Sequence, residues 1–79
     1  MLPKLDTPAT YCIRVHGSMP PAWSDRLGGL TINTIDQQGG ETVTTLSGQL
    51  RDQAALIGVL NALYDRHLPL LSVECLEIG

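Results

Sequence analysis

The run DQAALIGVLNALYDRHLPLLSVE, residues 52–74, sets a helix start, an amphipathic helix, a helix stop and an apolar strand end to end in under a third of a 79-residue chain. Asp52 is placed to accept hydrogen bonds from the free N–H groups of a first helical turn. Leu56, Leu60 and Leu63 then recur at i, i+4 and i+7. Ile57, Val59 and Tyr64 flank that stripe, and Gln53, Asn61, Asp65 and Arg66 take the more polar positions. This spacing predicts a helix with one face on a core. Arg66 and His67 bring positive charge to the C-terminal turn, where the helix dipole favours it, and Pro69 blocks continuation. LLSVECLEI follows, with Leu71, Val73 and Cys75 on one side of an extended chain and Ser72, Glu74 and Leu76 on the other.

The remainder of the chain must supply the layer that this helix covers. TYCIRVHG alternates, Tyr11, Ile13 and Val15 against Cys12, Arg14 and His16, as a half-buried strand does. In SMPPAWSDRLGG, Ser18 is a candidate cap, the prolines suit a helix start, Trp23 and Leu27 fall four residues apart, and Gly28 and Gly29 end the segment. LTINTID (30–36) and a second Thr- and Val-rich stretch over 41–48 read as a hairpin joined through DQQGGE. Val43 and Leu46 have opposite parity, which requires either a bulge or a sheet that is apolar on parts of both faces. The order strand, helix, strand, strand, helix, strand is the split βαβ pattern. It predicts an α+β, ferredoxin-like βαββαβ fold, with two helices on one face of a four-stranded antiparallel sheet and the last strand beside the first. Parity then puts Arg14 and Glu74 on the open face as expected cross-strand partners.

A chain of this length buries one small core, so a single domain is expected over residues 10–79 behind a flexible arm, 1–9. With 43% hydrophobic residues, no Phe, one Trp and two Tyr, that core is mostly aliphatic. Small cores are marginal, and pairing two copies over a sheet face or edge is a physical remedy, so a homodimer is the expected partner state.

Composition excludes several activities. The formal charge is −3, and Lys4, Arg14, Arg26, Arg51 and Arg66 are scattered, so there is no basic cluster to neutralise nucleic-acid phosphates. The middle strands carry no aromatics on which single-stranded bases would stack. No apolar run approaches an export signal or a membrane span, and the expected location is cytoplasmic. Gly28–Gly29 and Gly39–Gly40 are turn pairs without the spacing of a phosphate loop. Cys12 and Cys75 lack a CxxC spacing and fall on opposite faces of neighbouring strands, which makes them separate thiols, with Cys75 a small apolar filler. His16 and Met19 after the first strand are too few donors for a soft-metal carrier. No nucleophile and base, or carboxylate pair, is spaced for catalysis, so no catalytic residue, cofactor or metal is expected.

The residues Tyr11, Ile13, Arg14, Val15 and Gly17, then Trp23, Gly48, Asp52–Leu56, Gly58 and Leu68–Glu74, together resemble a family of short uncharacterised bacterial proteins. Its pattern is YxIRVxG followed by DQAALxGxLxxLxxxxLPLLSVE, and the likeness spans nearly the whole chain. The resemblance implies a family and carries no catalytic residue. A glycine is expected at the helix end, and His67 stands there instead. The expected role is a small interaction or regulatory module, associating as a homodimer through a sheet face or edge, with a small-ligand site at the seam. The alternative is a small dimeric enzyme or metabolite-binding protein with a site around Arg14, His16, Trp23 and Glu74.

Overall fold

The computed structural model describes residues 7–36 and 39–78. Strands β1 (Ala9–His16), β2 (Thr31–Asp36), β3 (Thr42–Leu50) and β4 (Leu70–Ile78) form an antiparallel sheet in the order β2-β3-β1-β4, and the helix α1 (Gln53–Asp65) precedes β4. Residues 1–6 of the expected arm lie outside the described residues, as do 37 and 38 of the hairpin connection. Ala9 falls in the arm by sequence, yet it is already strand, paired with Leu50 and Ile78 and fully buried.

The ferredoxin-like βαββαβ expectation is not met, because the described residues form one α-helix rather than two. Between β1 and β2 the chain makes a seven-residue 3₁₀ helix, Pro21–Leu27. Its N-cap is Pro20 without a side-chain cap, Pro21 is its first residue, and Gly28 ends it in the left-handed region at φ 70°. Two successive prolines remove two N–H groups, and the glycines leave too few residues for a full amphipathic stripe. Ser24 Oγ donates to Leu30 O at 2.6 Å and fastens this short element to the start of β2.

Tyr11, Ile13 and Val15 are buried, as their alternation predicts. Both Val43 and Leu46 are buried while β3 keeps its register with β1 and β2, so the sheet is apolar on parts of both faces. Leu46 faces Ile13 and Ile32 under the covered side, and Val43 lies on the open side between His16 and Ile35. Thr44, a buried polar residue, is satisfied: its Oγ1 donates to Gly17 O at 2.6 Å and lies 2.9 Å from Thr34 Oγ1. Gly48 sits within β3 at φ 148°, and a Cβ there would meet Leu30 Cδ2 at 3.2 Å. The missing side chain lets the 3₁₀ segment's buried exit close on the strand.

Asp52 caps α1 as its position predicts, its Oδ1 accepting from Ala55 N–H at 2.8 Å. The buried stripe is Leu56, Val59 and Leu63, with Leu60 at its part-buried margin. The helix packs on β3 and the 3₁₀ helix. Past its end His67 takes φ 59°, and its N–H donates to Tyr64 O at 2.9 Å. A side chain in this region is strained, so His67→Gly is expected to stabilise the fold by about 0.5–1 kcal/mol, the freer unfolded glycine offsetting part of the gain. Urea unfolding checks this, and a loss of stability would show that the imidazole holds the turn by contacts that outweigh the strain.

Candidate functional site

Strand β4 lies at the sheet edge, beyond the cover of α1. His16 N–H donates to Pro69 O at 2.9 Å, anchoring its start to the end of β1. Two register shifts then interrupt the pairing. Val15 faces Leu70 and Arg14 faces Ser72, while Tyr11 faces Cys75 and Thr10 faces Glu77, so Leu71 and Leu76 are the extra residues of two bulges. Leu70, Val73, Cys75 and Ile78 consequently share the covered side with Val15, Ile13, Tyr11 and Ala9, and Ser72, Glu74 and Glu77 share the open side with Arg14, Cys12 and Thr10.

The covered side of β4 is not covered. Leu70 is 53% exposed and Val73 38%, and at the two bulges Leu71 is 53% and Leu76 56% exposed. On the helix, Ile57 and Tyr64 are exposed as well. A hollow of about 290 Å³ between helix and strand is lined by Leu60, Leu63, Tyr64, Leu68, Pro69 and Leu70. Apolar helix flank, hollow and strand therefore adjoin at one side of the molecule. Contiguous exposed apolar surface beside an unpaired strand edge is the arrangement that association or ligand binding would use. Cys75, expected as a core filler, is exposed, and both cysteines are free thiols.

The residues singled out by sequence separate into two places. Arg14, His16 and Glu74 are exposed on the open side. Glu74 faces Cys12 and Arg14 faces Ser72, so the expected direct Arg14–Glu74 pairing is replaced by a diagonal one, a consequence of the bulge at Leu71. Among the described residues the ion pair formed is Arg51 with Asp52, at 3.9 Å. Ser72 Oγ is buried without a hydrogen-bond partner. Trp23 packs against the core on the covered side, with the Arg66 guanidinium 3.6 Å from its ring centroid and that of Arg26 at 4.7 Å. Its pairing with Arg66 explains that cation better than the helix dipole does. Met19, weighed with His16 as a metal donor, is buried in the core.

Tyr11 has a displaced titration. Burial pushes its phenol above the ordinary value of 10.0, and the Cys75 thiol opposite adds to the shift. Its hydroxyl accepts from Gln53 Nε2 at 2.7 Å, tying β1 to the first turn of α1. Because the fold favours the protonated phenol, its contribution is full below pH 10.0 and is lost as pH rises through the higher folded value. Tyr11→Phe is therefore expected to flatten part of the fall in stability above pH 10.0, measured by thermal melts of both proteins across that range. Parallel declines would remove Tyr11 as the cause.

What these features define is an α+β domain with one helix and an exposed apolar edge strand. The chain belongs to the family described as a domain of unknown function, DUF8691, which matches residues 10–74. No curated protein and no solved structure matches it. No described helix is long and apolar enough to cross a membrane.

Proposed function

We propose that the chain is a small cytoplasmic interaction module that works as a homodimer, joined through the β4 edge. The observation that carries this reading is the exposure of Leu70, Leu71, Val73 and Leu76 along a nine-residue edge strand. Left in water, those side chains forgo roughly 25 cal/mol per Å² of apolar surface that association would recover. An antiparallel partner strand would also pair the outward N–H and C=O groups of β4. Tyr64, which lines the hollow beside Leu70, borders the same seam and adds to the apolar surface that a partner would cover. The open side presents the polar Thr10, Arg14, Ser47, Gln49, Thr31 and Asn33, with an apolar patch of Val43 and the exposed Ile35 at one end.

The alternative role as a dimeric enzyme or metabolite binder has one supporting observation, the 290 Å³ hollow beside Tyr64. It is lined by apolar groups, and its occupant would be a small apolar molecule. Arg14, His16 and Glu74 are on the other side of the sheet. Sedimentation velocity over a wide concentration range tests the proposal. A species of twice the chain mass is expected, and a monomer at millimolar concentration would overturn it.

A further inference from the structure

The edge of β4 carries a pattern that selects its own partner. His16 N–H bonds to Pro69 O, which makes Val15 and Leu70 a non-hydrogen-bonded pair. Alternation along β1 then makes Arg14–Ser72 and Cys12–Glu74 hydrogen-bonded pairs, so the main-chain groups of Val73 and Cys75 point away from the sheet. Between the two bulges, Ser72 to Cys75 is the regular part of the edge that another strand could join.

A second copy related by a two-fold axis has three registers in which outward groups meet outward groups. An axis through Cys75 sets Glu74 against the bulged Leu76 of the second copy. An axis through Glu74 sets the two Glu74 carboxylates directly opposite, which is unfavourable. An axis through Val73 pairs Val73 with itself and places Ser72 opposite Glu74 of the second copy in a non-hydrogen-bonded pair, where side chains are closest. Arg14 already lies on the other flank of Ser72. The open side of the seam thus holds Arg14, Ser72 and the second copy's Glu74 in one row, with the symmetric row beside it. The Cα atoms of Arg14 and that Glu74 would be about 10 Å apart, a span that an arginine and a glutamate side chain bridge together.

We infer that two copies join β4 to β4 about an axis at Val73, and that Arg14 of each copy pairs with Glu74 of the other across Ser72. This inference rests on the proposed edge association and gives it a register. It also gives a use to two features that the monomer leaves unexplained: the exposed Arg14 and Glu74 gain each other.

A charge exchange between two chains separates this arrangement from a diagonal contact within one chain. Arg14→Glu alone faces glutamate with glutamate in both rows, and Glu74→Arg alone faces arginine with arginine. Each is expected to weaken self-association at least about tenfold. Mixed in equal amounts, the two variants restore opposite charges in both rows, and heterodimer is expected at close to parental affinity by sedimentation equilibrium. In a Cys12→Ser, Cys75→Ser background, Val73→Cys is expected to form an interchain disulfide under mild oxidation and Glu74→Cys is not. A dimeric parent with no rescue on mixing, or with cross-linking at Glu74→Cys instead of Val73→Cys, would overturn the register while leaving the association standing. A monomeric parent would overturn both.

Discussion

Val73→Lys is expected to leave the chain folded and to weaken its self-association by at least about a hundredfold, since like charges brought together at an interface cost several kcal/mol and each 1.4 kcal/mol is about a factor of ten. Val73 is 38% exposed in the single chain, so a lysine there finds water without disturbing the core. Partial burial beside Ile13 makes a modest loss of stability the expected accompaniment, about 1 kcal/mol, the typical size for a point substitution. At the seam the same lysine meets its own copy, sets two ammonium groups side by side and removes the central apolar contact. Lysine on an exposed edge is also a common way for sheets to avoid pairing with one another. Sedimentation equilibrium reads the association, and circular dichroism melts of dilute protein read the fold. An unchanged dimer with unchanged melting would mean that β4 is not the surface that associates.

Leu46→Ala is expected to destabilise the fold by about 3 kcal/mol, within the range of roughly 2–5 kcal/mol for truncating a fully buried leucine. Leu46 is 0% exposed and lies on the strand between Ile13 and Ile32, in the cluster that also holds Leu56, Val59 and Leu63. Stability of about 0.05–0.15 kcal/mol per residue would make this loss a large share of what a chain this small possesses. Urea unfolding measures it. A loss under about 1 kcal/mol would indicate that the site collapses around the gap and that the core is less tightly packed than its burial implies. The two substitutions separate the chain's two apolar surfaces: the one around Leu46, buried in the core, and the exposed one around Val73, proposed above as the surface that associates.

Much of the local structure was legible because it depends on neighbours in sequence. Asp52 as a cap, the stop at Pro69, the alternation of Tyr11, Ile13 and Val15, and the opposite faces of Cys12 and Cys75 all follow from periods of two and 3.6 residues. The helix stripe was legible apart from the exchange of Leu60 for Val59, neighbouring positions whose burial depends on how the helix rolls on the sheet. The site was less legible. Arg14, His16 and Glu74 were assigned to the open side from parity, but the facing of Glu74 to Cys12 depends on a bulge at Leu71 that nothing in LLSVECLEI marks. Trp23 appeared free for a ligand, whereas Arg66, 43 residues on, stacks against its ring.

The sequence by itself determined where the strands and the capped helix lie, that the core is aliphatic, and that the chain belongs to an uncharacterised family. Only the tertiary structure decided which apolar residues the core would use. Leu71 and Val73 read as core as plainly as Ile13 does, yet they are exposed. A helix is about 10–12 Å across and strands are spaced about 4.8 Å apart, so one helix covers about two strands of four. With the first helical segment reduced to seven residues by its prolines and glycines, the described residues leave most of β4 exposed. Its burial depends on a second layer, and such a layer is a property of the assembled fold rather than of any local pattern.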